Sequence, residues 1–290
     1  MIVLDGSMGN ELLKRAKKPA TGLWSAQFLI DAPELVKEVH QDYINAGANI
    51  LTTNTYSTIP SYLSKENKTY LMSELVEKAG KIAKEVADKA EQEVLVAGSL
   101  PPLDESYRPD LVPEESESVP IYEEMIRQLD PFVDFYLCET ISSLKETNHV
   151  LKALKNRPDP QKPIWLSWTL SEDRTPILRS GESIKDAFLF AEDFNPSAYL
   201  FNCTDPEAIT EGIKVMKSLT SKPTGGYPNV FGVPLDWTLD NEVEINIRNL
   251  SLNKFVEYKN LWKELGAEII GGCCGIGPEY ISALTESERK

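Results

Sequence analysis

The stretch GGCCGIGPEY, residues 271–280, sets two of the chain's four cysteines side by side among glycines. Adjacent cysteines are poor disulfide partners, because an ordinary bridge needs Cα atoms ~4.4–6.8 Å apart and consecutive Cα atoms lie ~3.8 Å apart. Two thiols so placed suit one metal ion. A third cysteine, Cys203, ends the apolar run AYLFNCT, as Cys273 and Cys274 end AEIIGGCC. Three thiolates and one open position make a zinc centre of the catalytic type, with Zn–S near ~2.3 Å. Gly271, Gly272 and Gly275 let the backbone bend so that both neighbouring thiols point at one ion. Other readings compete. A single cysteine such as Cys203 commonly serves as a small buried hydrophobe. GGCCGIGP also reads as a glycine-rich turn into a helix at Pro278, offering N–H groups to a phosphate, although that turn holds no Lys or Arg. Cys138 adjoins Glu139, so strand alternation turns it to the opposite face, where it serves as core.

These side chains need elements to hold them. Strand-like runs occupy 2–5, 49–56, 94–100, 133–140, 163–170, 198–204, 222–229 and 267–274, the seventh weakened by two glycines and a proline. Helical patterns lie between them, as in PELVKEVHQDYINAGA from Pro33, KTYLMSELVEKAGKIAKEVADKAEQ from Lys68 and PEYISALTESERK at 278–290. Runs apolar on both faces suit a parallel sheet covered on both sides. Eight such units in this length predict a (β/α)₈ TIM barrel as one domain over residues 1–290; a doubly wound open sheet is the alternative. Two long loops, PPLDESYRPDLVPEE and NVFGVPLDWTLDNEVEINIRN, read as lids or substrate walls.

In a barrel the reactive residues sit at the C-terminal strand ends. Those ends carry Asp5, Asn54, Ser99, Glu139, Thr169, Cys203, the segment 227–229, Cys273 and Cys274. Asp5 and Glu139 read as anchors for a substrate ammonium group, with helix capping or ion pairing as the alternative. His40 and His149 fall inside helical patterns and read as surface or packing residues, which removes Ser-His-Asp and Cys-His chemistry. GSMGN at 6–10 matches a nucleotide loop only loosely.

The chain has 290 residues and a net charge of −15, which disfavours nucleic acid and anionic membranes as partners. No apolar run approaches the ~20 residues that span a bilayer. The opening MIVLDGSMGNELLKR shows no basic region ahead of an apolar one, so no secretory signal is expected and the protein is expected in the cytoplasm. Four cysteines in this length do not form a disulfide framework.

LDGSMGNEL, LVKEVHQDYINAGANILTTNTY, LCET, NCT and IGGCCGIGPEYI together resemble the homocysteine S-methyltransferase family, in order and over essentially the whole chain. The resemblance implies one zinc held by Cys203, Cys273 and Cys274, with the homocysteine sulfur bound at the open position as a thiolate. It implies that Asp5 and Glu139 hold the substrate amino group, that backbone near Gly6 and Ser7 meets its carboxylate, and that Asn54 belongs to the same substrate site. It implies methionine as the product and, as methyl donor, a cationic sulfonium, S-methylmethionine or S-adenosylmethionine, or an ammonium compound such as betaine. Trp24, Tyr56, Trp168 and Tyr227 are candidate aromatic faces for that cation. Thr204 stands where several relatives have a second cysteine, and GSLPPLDESYRPD replaces a shorter GSIGP, which bears on donor identity. The alternatives are a non-catalytic zinc- or thiol-binding barrel, a phosphate-binding lyase or isomerase, and a methyl-transfer module served by a separate corrinoid protein.

Overall fold

The computed structural model describes residues 1–17, 19, 21–234, 237–238 and 244–287. The middle of the expected second long loop and residues 288–290 of the last helical pattern lie outside these. In chain order the elements are β1 (Ile2–Val3), α1 (Met8–Ala16), α2 (Ala26–Asp31), α3 (Pro33–Asn45), β2 (Ile50–Thr52), α4 (Pro60–Ser64) and α5 (Met72–Ala87). They continue with β3 (Leu95–Leu100), α6 (Glu115–Leu129), β4 (Phe135–Ile141), α7 (Leu144–Lys155), β5 (Ile164–Trp168), α8 (Ile184–Glu192), β6 (Ala198–Asn202), α9 (Pro206–Leu219) and β7 (Thr224–Tyr227). The last are β8 (Phe231–Gly232), β9 (Asn246–Ile247), α10 (Leu252–Glu264), β10 (Ile269–Ile270) and α11 (Pro278–Glu286).

Eight parallel strands run in the order β1-β10-β7-β6-β5-β4-β3-β2. A parallel bridge from Leu4 to Ile50 joins the two ends of that row. The sheet is therefore a (β/α)₈ barrel. β8 and β9 pair antiparallel in the loop between β7 and α10.

Alternation along each strand builds two cores. Leu4, Ile50, Phe135, Leu137, Leu200 and Ile269 pack inside the barrel. Their neighbours Val3, Leu51, Tyr136, Cys138, Phe201 and Ile270 pack outward beneath the helices. This is why the strand runs are apolar on both faces. Cys138 is fully buried on the outer side, as expected. The glycines of the seventh strand reflect close approach: a Cβ on Gly225 would collide with the Ile269 carbonyl.

Helices α1, α2 and α4 were not expected from the sequence. They are short, and α1 follows the turn at Gly6 that masks its pattern. His40 and His149 are both buried in helices, so packing is their role. Burial pushes the His40 imidazole down to about 3, which keeps it neutral.

Candidate active site and metal centre

The C-terminal mouth of the barrel encloses a cavity of about 350 Å³. Its lining includes Asp5, Gly6, Ser7, Asn54 and Glu139, the three cysteines, and Trp24, Tyr56 and Tyr227. Of the site residues expected from the sequence, Trp168 alone is misplaced. Ser167 points inward and donates to Asn202 Oδ1 at 2.7 Å, so alternation turns Trp168 outward. There its indole donates to Thr147 Oγ1 at 3.0 Å and its ring stacks on Tyr199.

The sulfurs of Cys203, Cys273 and Cys274 all lie within 4.8 Å of one another. Strict alternation after β6 would send Cys203 outward with Phe201. Instead Cys203 takes a left-handed backbone, φ 52°, which breaks the alternation and brings its sulfur to the mouth. Gly275, φ 80°, turns the chain after Cys274, and its N–H donates to Asn10 Oδ1 at 3.0 Å. Cys203 and Cys273 close on each other as a disulfide, with Cα atoms 5.5 Å apart. Cys274 remains a thiol, pushed up to about 11 by burial and then by the Glu139 charge. Its sulfur is 3.7 Å from that of Cys203 and 4.0 Å from that of Cys273. Tetrahedral thiolates on one ion, with bonds near ~2.3 Å, stand ~3.7–3.8 Å apart. Once the Cys203–Cys273 bond is reduced, the triad fits a metal ion.

Asp5 follows β1 and Glu139 lies on β4, with β2 and β3 between them in the ring. Thr52 holds Asp5 through its backbone N–H and its hydroxyl, each at 2.8 Å. The Ser99 hydroxyl donates to Glu139 Oε1, and the Tyr227 hydroxyl reaches Oε2 at 3.5 Å. Burial pushes each carboxyl up to about 7, and the Glu139 charge adds to the effect at Asp5. Among the described residues lining the cavity none is a lysine or an arginine. The cavity therefore has a deficit of positive charge.

The strand end beside Glu139 is steadied by a residue the sequence reading passed over. β4 shifts register between Cys138 and Ile141, and Thr140 has φ 59°. Asn202 Oδ1 accepts the Thr140 N–H, and Asn202 Nδ2 donates to Thr140 Oγ1, both at 2.8 Å. Alternation after Leu137 turns Glu139 inward, and this clasp fixes the bulge that follows it, returning Ile141 to the outer face. The signal was in the sequence, in the asparagine before Cys203. Asn54 lines the cavity, but its amide donates to the Ser25 carbonyl at 3.2 Å. It supports the turn in which Trp24 has φ 48°. Ser7 is the N-cap of α1 without a side-chain cap bond. Its own N–H donates to the Ile276 carbonyl at 2.9 Å, and Met8, Gly9 and Asn10 of the first turn line the cavity with Gly6 and Ser7.

Tyr62, Tyr107, Phe231 and Trp237 complete an aromatic wall with Trp24 and Tyr56. All four sit outside the strand ends, which is why a strand-end reading missed them. The Tyr56 hydroxyl is 2.7 Å from Ser106 Oγ. Two arginines brace the segment above: Arg179 donates to the Val233 carbonyl at 2.7 Å, and Arg248 pairs with Glu172, with Asp205 and with Asn229 Oδ1.

Comparison with known proteins agrees with this architecture. The chain is 31% identical over 318 residues to homocysteine S-methyltransferase 2 of Zea mays, covering 100% of this chain and 90% of that protein. It is 28% identical over 307 residues to homocysteine S-methyltransferase YbgG of Bacillus subtilis, covering 100% and 95%. Crystal structures of the homocysteine methyltransferase MmuM from Escherichia coli, in metallated and oxidized forms, superpose with a TM-score of 0.82 at 27% identity, covering 99% of this chain and 96% of that one. Residues 2–287 match the sequence profile of homocysteine S-methyltransferase. The chain belongs to the homocysteine S-methyltransferase family.

Proposed function

We propose that this enzyme transfers a methyl group from a cationic sulfonium donor, S-methylmethionine or S-adenosylmethionine, or from an ammonium donor, to the sulfur of L-homocysteine, giving L-methionine. The observation that carries the reading is the pairing, in one cavity, of three converging sulfurs with two buried carboxylates that lack a cation. The metal would be zinc, held by Cys203, Cys273 and Cys274. When bound it would supply a Lewis acid that lowers the pKa of the incoming thiol, which in water is ~8.5.

The protein's own groups do the rest. Asp5 and Glu139, once ionised, grip the substrate ammonium from two sides. The uncapped first turn of α1 receives its carboxylate, since helix N-termini favour anions. These two holds aim the thiol at the cysteines. The aromatic wall offers π faces to the donor cation, worth ~0.5–2 kcal/mol each. Holding both substrates in line supplies most of the acceleration; well-oriented pairs gain up to ~7–11 kcal/mol. No acid or base is needed, in keeping with two histidines buried in helices away from the mouth. Free cysteines at such a centre require a reducing compartment, which favours the cytoplasm.

The test is methionine formation from homocysteine with S-methylmethionine, S-adenosylmethionine, betaine and dimethylsulfoniopropionate, with and without a zinc chelator. Chelator-sensitive turnover on one donor is expected. Zinc-loaded, reduced protein inactive with all four donors would overturn the proposal in favour of a binding role or a corrinoid partner.

A further inference from the structure

The loop between β3 and α6 delivers a hydroxyl to the metal centre. Tyr107 lies in it and is 6% exposed. Its hydroxyl donates to Cys203 Sγ at 3.0 Å. Both partners of this bond have left-handed backbones, Tyr107 at φ 68° and Cys203 at φ 52°. A bulky residue seldom takes that conformation unless its surroundings impose it. Here they do. The Arg179 guanidinium stands over the Tyr107 ring, 5.3 Å from its centroid. Trp237 packs edge-on at 6.0 Å. The next residue back, Ser106, is tied to Tyr56, and Tyr122 holds the root of the loop by donating to the Pro101 carbonyl at 2.8 Å.

We propose that Tyr107 is a positioning residue of the thiolate centre: its O–H···S bond fixes the rotamer of Cys203 and withdraws part of the charge from that sulfur. This rests on the metal-centre reading above. The geometry supports it in two ways. Cys203 is the ligand whose strand would otherwise point it outward, so it needs a tether that Cys273 and Cys274, fixed by their turn, do not. A hydrogen bond to a charged acceptor is also stronger than a neutral one, so it gains strength when Cys203 becomes a thiolate. Groups that orient metal ligands from behind set both affinity and the electronic character of the site.

The experiment uses the full-length, reduced protein loaded with Co²⁺ as a spectroscopic probe. Tyr107→Phe keeps the ring and removes the donor. The thiolate-to-cobalt charge-transfer band is expected at longer wavelength than in the wild type, because a sulfur freed of its hydrogen bond gives up electron density more easily. Metal affinity by chelator competition is expected to fall about 10–100-fold. Tyr122→Phe loosens the same loop without touching the sulfur, and its band is expected to coincide with the wild type. The band decides. A Tyr107→Phe spectrum superimposable on the wild type overturns the proposal, as does an equal shift in Tyr122→Phe. A wild-type protein with no charge-transfer band would overturn the metal-centre reading itself, and the proposal with it.

Discussion

Glu139 shows how much a single side chain depends on others. Alternation along β4 turns it inward, Ser99 holds its carboxylate, and the Asn202 clasp on the bulge at Thr140 steadies the strand end beside it. Asn202→Ala would leave the buried Thr140 N–H unpaired, which costs about 1–3 kcal/mol. We expect a lower denaturation midpoint, a KM for homocysteine raised roughly tenfold (~1.4 kcal/mol of lost binding), and unchanged metal content; an unchanged KM would refute the steadying role. Glu139→Ala should likewise weaken homocysteine binding while the metal stays. The pH dependence follows from the same residues. Asp5 and Glu139 titrate at about 7 in the fold but near ~4 in an unfolded chain. Between those values the folded protein holds more protons than the unfolded one, so stability of the ligand-free protein should fall as pH rises from about 4 to 7 and then level off. Homocysteine acts in the opposite sense, because its ammonium needs the ionised pair. Its KM should fall as pH rises from about 6 to 8, and its thermal stabilisation of the protein should be larger at the higher pH. A KM that rises over that range would contradict the ammonium assignment.

Among the elements, the strands were legible, and the two long connections read as substrate walls do line the cavity, but their individual side chains were not. Eight apolar runs announce eight strands because each must be buried on both sides, and the residues ending them fall at the mouth by topology alone. Cys203, Cys273, Cys274, Asp5 and Glu139 were readable for that reason. Trp168 was misjudged because proximity to a strand end does not fix the face, and one residue of alternation reverses it. Tyr107, Phe231 and Trp237 went unread because loop conformation follows from tertiary contacts, such as the arginine over the Tyr107 ring. The segment after β7 makes this concrete. Arg248 joins Asn229, Glu172 and Asp205 while being only 17% exposed on its side chain. Arg248→Ala strands those partners and should cost about 1–3 kcal/mol, less than a fully buried pair because water still reaches it. Donor KM should rise while homocysteine KM holds. Equal changes in both would show that the segment serves the whole cavity and not the donor side.

On the scale of the molecule, the thiol centre ties distant parts of the chain: Cys203 and Cys273 are 70 residues apart, on strands separated by β7 in the ring. Metal removal in air should therefore leave a folded barrel with those two joined. Alkylation of such native, unreduced protein should label Cys274 alone; after reduction it should label three cysteines, with Cys138 protected until unfolding. Mass spectrometry of the labelled peptides reads this directly, and labelling of Cys203 before reduction would contradict it. One further consequence lies in how the two halves of the cavity are mounted. The groups proposed to face homocysteine stand mainly on strand ends and on the turn after β10, where a change disturbs the barrel itself. The aromatic groups proposed to face the donor hang on connections outside the sheet, where substitution and length change are tolerated. Descendants of such a scaffold are free to exchange one methyl source for another by rewriting connections, while the sulfur they methylate is inherited unchanged.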